Sequence, residues 1–356
     1  MLIFNVLDLC KLAYNRISLQ KINDIVMTIP KSEQQIIDDS RNGEEKAFQR
    51  AIRIASEKVE KEIEEWNCTV SIQDKSSLTV EELENRMLEN VPNARLLRLI
   101  EQFFFDNYIK ISHKTRAIVD TSLMGFLFRI LREPIYSLFC RYDSNFTPED
   151  CLNGKIILIN LPVKMYNKAG KDCQILFKYI WQRAMERRNV DLNSRPVFLW
   201  ADEAQVFLHS HDADFQATAR SSRICTVYLT QNLPNFYSCM GGEKSEYKVK
   251  SFLGTLATKI FTANSDIETN RYASELFGDS YIQDISSSVT IAEKLSQTTG
   301  KTRKLERLVR PEEFIKLRQG GRLNNYKVDA YVFRQGEPFH NGYNHLKVVF
   351  DQNFTV

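Results

Sequence analysis

Two adjacent carboxylates, Asp202 and Glu203, end the apolar run Val197-Phe198-Leu199-Trp200-Ala201. A run so uniformly apolar reads as a strand buried on both faces, and an unpaired charge beside it costs of order several kcal/mol. A divalent cation with its waters would account for the pair. In that arrangement, a Walker B element, Asp202 holds Mg²⁺ directly or through water, and Glu203 accepts a proton from the water that attacks the γ-phosphate of ATP. The competing account is that both acids cap the next helix, where each gains about 0.3–1 kcal/mol from the helix dipole. The following β-type run ends in Thr230-Gln231-Asn232. An amide such as that of Gln231 can donate to phosphate and accept from water at once, which suits a γ-phosphate sensor. Between the two runs stand Arg220 and Arg223. From there a guanidinium of Arg220 could reach a nucleotide on a neighbouring subunit, or it could simply pair with a helix C-terminus.

These groups need a scaffold, and the chain supplies one after Asn153-Gly154. Four β-type runs, Lys155–Leu161, Val197–Ala201, Ile224–Thr230 and Lys259–Ala263, alternate with helical periodicity over Cys173–Arg188, Asp212–Arg220, Lys248–Thr255 and Asp266–Phe277. Apolar strands alternating with helices predict an α/β fold with a mainly parallel sheet. Asn160, the Asp202-Glu203 pair, Thr230, Gln231 and Asn264 all fall at the carboxyl ends of those runs. Open α/β sheets bind ligands at that edge, which makes Asp202, Thr230 and Asn160 the nucleotide-binding candidates. Tyr326–Arg334 and Leu346–Phe350, around Gly336-Glu337-Pro338, predict a closing antiparallel hairpin. Residues 1–150 read instead as an all-α domain: Glu44–Glu65, Ala94–Tyr108 and Lys114–Leu131 carry periodic apolar faces, and Thr79 to Glu82 forms a capping box. Asn67–Ser77 reads as a loop.

Composition narrows the classes. Of 356 residues, 48 are Lys or Arg and 45 Asp or Glu, so the net charge of +3 makes no bulk case for a nucleic-acid or membrane partner. Seven cysteines without a C-x-x-C pair argue against a disulfide framework or a zinc ribbon and fit a reducing, cytoplasmic compartment. The most apolar stretches, Leu2–Leu9 and Leu123–Leu131, fall far short of the roughly 20 residues of a membrane helix. His209-Ser-His211-Asp212-Ala-Asp214 has a metal-like composition, although a polar loop tip after such a strand explains it as well.

The order FLWADEAQVF, DFQATARSSRICTVYLTQN, VKSFLGTLATKIFTANSD and ETNRYASELFG resembles the type IV coupling proteins, the TraG/TraD-like ATPases of conjugation among the FtsK/HerA motors. The resemblance covers about 155–335, and the helical first part is similar to the family's all-α insertion. It implies a RecA-like P-loop fold, with residues 151–356 as the carboxyl half of the nucleotide-binding domain. It further implies a homo-hexamer at the cytoplasmic face of the bacterial inner membrane that binds ATP and Mg²⁺ and passes relaxase-bound single-stranded DNA to a secretion channel. The implied partners are that DNA, relaxosome proteins and the channel's ATPases. Asp202 and Glu203 match its Walker B acids, Gln231 its glutamine sensor and Arg220 an arginine near the subunit boundary. Lys244, Lys248 and Lys250, beside Tyr237 and Tyr247, would line a DNA channel, unless they are simply solvated helix lysines. Arg303 and Lys304, in the densest basic stretch, are further candidates for phosphate contact. One departure is plain: the sequence has no G-x-x-x-x-G-K-[ST] loop, whose backbone amides and lysine would surround the phosphates. The expectation is therefore a carboxyl part of a longer motor, inactive alone, with a non-hydrolysing module that recognises relaxosome or secretion substrates as the alternative.

Overall fold

The computed structural model describes residues 1–43, 45–70, 79–141, 143–209, 211–240, 245–291 and 295–353. It divides into two compact units, one of residues 1–145 with 166–173 and one of residues 146–165 with 174–356.

The described first unit is helical. Its elements are α1 (Leu2–Tyr14), α2 (Leu19–Thr28), α3 (Glu33–Asn42), α4 (Ala47–Thr69), α5 (Val80–Asn90), α6 (Pro92–Glu101), a π-helical turn (Gln102–Tyr108), α7 (His113–Ile130) and α8 (Ile135–Phe139). The capping box forms as the sequence predicts: Thr79 N donates to Glu82 Oε2 at 2.8 Å and Glu82 N to Thr79 Oγ1 at 3.3 Å. Phe48 and Phe104 meet edge to face, 4.9 Å between centroids, at the centre of the apolar core. Arg116, buried with them, is explained by its acceptors. Its guanidinium donates to the carbonyls of Lys31, Tyr108 and Ile109, the last two at the end of the π-helical turn, where carbonyls lack helical partners. The loop expected over 67–77 lies mostly outside the described residues.

The second unit is α/β. Helix α9 (Val163–Arg187), whose carboxyl part belongs here, is followed by β1 (Val197–Ala201), α10 (His211–Thr218), β2 (Ile224–Tyr228), α11 (Leu233–Met240), α12 (Ser245–Thr255), β3 (Thr258–Thr262) and α13 (Ile267–Phe277). Then come β4 (Asp279–Ile291), β5 (Leu295–Arg307), α14 (Pro311–Ile315), β6 (Lys327–Arg334) and β7 (His345–Asp351). β1 and β2 pair in parallel, Val197 beside Ile224 through Ala201 beside Tyr228. The crossover between them runs through α10, and Trp181, Met185 and Phe215 pack against Val197 and Ile224.

The parallel sheet is smaller than the sequence suggests. Lys155–Leu161, expected as a strand, forms no ladder. Its side chains still alternate, Ile156 and Leu158 outward at 95% and 84% exposed and Leu161 inward, and it lines a cavity of about 790 Å³ with β1. The run Lys259–Ala263 does form a strand, β3, but it pairs antiparallel with β6, Ile260 beside Val332. Strand character is local and was readable there, whereas the partner is supplied by residues some seventy positions away. β6 and β7 form an antiparallel hairpin. The ribbon β4–β5, which the Ser- and Thr-rich sequence did not suggest, pairs from Asp279–Arg307 to Ile291–Leu295.

One face of the β1–β2 sheet is covered and the other is open. Val197 and Ala201 are buried, while Phe198 and Trp200, which point the other way, are 57% and 68% exposed, beside Leu229 at 45%.

Candidate functional site

Asp202 and Glu203 follow β1 directly, and Gln231 follows β2 by three residues, so parallel pairing of the two strands brings their carboxyl ends together. The ladder continues past the strands: Leu229 N donates to Ala201 O at 2.9 Å and Ala204 N to Leu229 O at 2.8 Å. Glu203 sits between these bonds in the left-handed region, φ 49° and ψ 46°. That conformation costs a non-glycine residue of order 1–3 kcal/mol and persists only where the surroundings enforce it, most often at functional sites.

The turn directs the Glu203 carboxylate to two amides. Gln231 Nε2 donates to Oε1 at 2.8 Å and Gln205 Nε2 to Oε2 at 2.5 Å. Two residues that the sequence reading singled out separately, Glu203 and Gln231, are therefore hydrogen-bonded partners. Asp202 is exposed, with Oδ1 accepting from Glu203 N at 3.0 Å. Among the described residues its other oxygen has no protein donor, which suits a carboxylate that takes a hydrated cation. Asn264 Nδ2 holds the Gln231 carbonyl at 2.8 Å, while Asn270 Nδ2 donates to Asn264 O at 2.9 Å. Asp266 caps α13 through Thr269 N at 2.8 Å, and Thr269 Oγ1 accepts from Leu233 N at 3.0 Å. Thr230 turns to its own loop, donating to Asn232 O at 3.3 Å.

The other candidates stand elsewhere. Arg220 is exposed in the turn before β2, at the opposite end of the sheet from Glu203, about 17 Å away along a five-residue strand. Within one chain it does not join the carboxylates. Asn160 is exposed in the extended segment that forms no ladder. Lys244 lies outside the described residues. Lys248 and Lys250 are both exposed on α12, but two residues along a helix place them on different sides, and Lys250 already pairs with Glu246 at 2.5 Å. Arg303 and Lys304 are neighbours on β5 and so point to opposite faces of the ribbon, where Lys304 pairs with Glu306 at 3.2 Å. The densest basic stretch is thus divided between two surfaces.

The metal-like run after β1 has a different use. Asp212 is fully buried, and both its oxygens accept from Lys178 Nζ, at 2.7 and 2.6 Å; Gln182 Nε2 adds 2.8 Å and His209 N another 2.8 Å. Among the described residues no group of three or more His, Cys, Asp or Glu is placed to hold a metal. Burial lowers the Lys178 pKa, with the Asp212 charge opposing the shift, and burial likewise lowers that of His209. Lys178, Gln182 and Gln205 escaped the sequence reading. The signal was there for the first two: in Gln174-Ile-Leu-Phe-Lys178-Tyr-Ile-Trp181-Gln182 they occupy the helical stripe that also carries Trp181 and Met185.

Residues 196–319, which contain both strands and the whole Glu203 site, match the family described as the TraM recognition site of TraD and TraG. The match covers about a third of the chain and contains the residues whose order resembles the TraG/TraD-like proteins. A solved structure described as the bacterial conjugative coupling protein TrwBdeltaN70, unbound monoclinic form, is similar at 15% identity and a TM-score of 0.45, over 72% of this chain and 58% of that one. The chain thus spans somewhat over half the length of that structure. No curated protein matches it. Among the described residues, no helix is long and apolar enough to cross a membrane.

Proposed function

We propose that this chain is the carboxyl part of an ATP-driven coupling protein that moves single-stranded DNA, with its bound relaxase, toward a type IV secretion channel. The observation that carries the reading is the 2.8 Å bond from Gln231 Nε2 to Glu203 Oε1 across two adjacent parallel strands. It ties a base at the end of one strand to a γ-phosphate sensor at the end of the next, so a change at the phosphate is felt at the base. Glu203, aimed by two amides, takes the proton of the attacking water. Asp202, with one oxygen uncommitted, holds Mg²⁺ through water, and the ion when bound neutralises phosphate charge. Thr230, at the end of β2, flanks the nucleotide, and Asn160 is the candidate for a further contact from the extended segment beside β1. Arg220 acts on the nucleotide of a neighbouring subunit in a hexameric ring, a role compatible with its distance from Glu203 within one chain. Lys244, Lys248, Lys250, Arg303 and Lys304 are the candidates for DNA contact. A TraM-like relaxosome protein is the partner for residues 196–319, with the ring placed at the cytoplasmic face of the inner membrane beside the channel's ATPases.

A second reading, a non-hydrolysing module that recognises relaxosome or secretion substrates, is favoured by one feature: the sequence has no phosphate-cradling loop. Isothermal titration of Mg²⁺-ATP separates the two. The experiment compares this chain with a form extended upstream to include a strand and phosphate loop. Binding by the extended form alone supports the motor. Silence from both removes it and leaves the recognition module.

A further inference from the structure

The buried pair Lys178–Asp212 lies behind the Glu203 turn, and nothing in the proposed chemistry uses it. Lys178, 7% exposed, projects from α9 and gives its ammonium three acceptors: both oxygens of Asp212 and the carbonyl of Phe207 at 2.5 Å. An ammonium has three hydrogens, so the site is filled. The acceptors belong to the two halves of one connection. Phe207 ends the short turn Ala204–Val206 that follows Glu203, and Asp212 opens α10, where it also receives His209 N. Lys178 therefore ties a helix to both ends of the segment that runs from Glu203 to α10. Apolar residues of similar size usually replace a buried ion pair without loss of stability, so stability alone does not account for this one.

We infer that Lys178 is a positioning residue: through Phe207 O and Asp212 it fixes the segment 204–209 and so holds Glu203 in its left-handed turn, facing Gln231. The inference rests on the reading of Glu203 as the base for its functional meaning, but its geometry can be read separately. Phe207 N donates to Ala204 O and Val206 N to Glu203 O, so the amides of the turn report whether the tie is intact.

The test is amide hydrogen exchange on the 356-residue chain carrying Lys178→Met with Asp212→Leu, an apolar pair that restores packing without the tie. Exchange at Val206 and Phe207, whose acceptors are backbone carbonyls that the variant keeps, should accelerate about tenfold or more while the β2 amides keep their protection, because local opening is then uncoupled from global unfolding. Unchanged exchange at Val206 and Phe207 overturns the inference. If the double variant does not fold, Lys178→Arg takes its place. A planar guanidinium keeps the charge but cannot converge three hydrogens on one point, so the same local acceleration is expected, and its absence is equally fatal. In an extended form that turns over ATP, the double variant should lower kcat about tenfold or more with KM within twofold, the pattern of a displaced catalytic group; a kcat equal to wild type also overturns the inference. Failure of the wild type to hydrolyse ATP sinks the base assignment for Glu203, and the exchange result then decides the positioning role alone.

Discussion

Glu203 accepts two amide donors and adopts a backbone conformation that its side chain disfavours, and these facts constrain each other. A glutamine at 203 keeps the size and one acceptor oxygen but loses the basic oxygen pair. In an ATP-hydrolysing extended form, Glu203→Gln should bind Mg²⁺-ATP as the wild type does and turn over about 10²–10⁴-fold more slowly, the usual worth of a general base. Equal turnover in a steady-state phosphate-release assay would take Glu203 out of that role. Gln231→Ala should produce a smaller fall, because it removes the donor to Oε1 and the phosphate contact but leaves Gln205 on Oε2. The acids themselves were legible in the sequence, since an apolar strand ending in carboxylates demands an explanation. Their mutual aim was not. Gln205 had no signal beyond its position, and its contact with Glu203 exists only because the left-handed turn folds the chain back by two residues.

At the scale of elements, local pattern and distant partner separate cleanly. Thr79 and Glu82 form the capping box their spacing implies, because both ends of that interaction lie within four residues. The run 155–161 has strand composition and alternating exposure but no ladder, and β3 has a ladder with a strand that sequence order did not nominate. β4–β5 was missed because its hydroxyl-rich strands carry no clear apolar alternation, and their backbone ladder is set by the partner strand rather than by local pattern. Packing of α12 on the sheet is open to a direct test. Phe252, fully buried, meets Tyr228 of β2 at 5.2 Å and Phe236 of α11 at 6.4 Å. Phe252→Ala should cost about 3–5 kcal/mol in chemical denaturation, the range for deleting a buried aromatic ring. A pH effect belongs at this scale too. Burial lowers the pKa values of His209, beside α10, and His345 of β7, whose ring stacks on Phe277 of α13 at 4.5 Å. The unfolded chain therefore binds the extra protons first. Stability should be fully present above about pH 6.5, the ordinary histidine value, and decline as pH falls below it. Thermal unfolding midpoints at pH 7.5 and 5.5 should differ for the wild type and differ less for His345→Phe, which retains the stack without the titration; an unaltered difference would clear His345 of responsibility.

Across the whole molecule, the open face of the β1–β2 sheet bears on how this chain works. Parallel sheets are almost always covered on both faces, because their crossover helices bury apolar side chains on each. Here α9 and α10 cover Val197 and Ile224, yet Phe198 and Trp200, the largest side chains of β1, stand 57% and 68% exposed, and the cavity of about 790 Å³ opens beside them. Two aromatic residues on a short strand are costly to leave in water, each representing about 1.5–3 kcal/mol of burial not realised. The proposed upstream segment with the phosphate loop would cover them. Phe198→Ser and Trp200→Ser then have opposite consequences in two settings. In the 356-residue chain each should change stability by no more than about 0.5 kcal/mol, as surface substitutions do. In the extended form the same changes should destabilise by at least about 1.5 kcal/mol each, the lower end of a lost buried side chain, and weaken Mg²⁺-ATP binding with it. Trp200 also reports directly. Its fluorescence emission should lie toward the red in the shorter chain and move to the blue in the longer one, provided Trp66 and Trp181 are replaced by Phe in both. An emission that stays red, with serine tolerated equally in both lengths, would mean that the open face serves another partner and that the phosphate loop, if present, docks elsewhere.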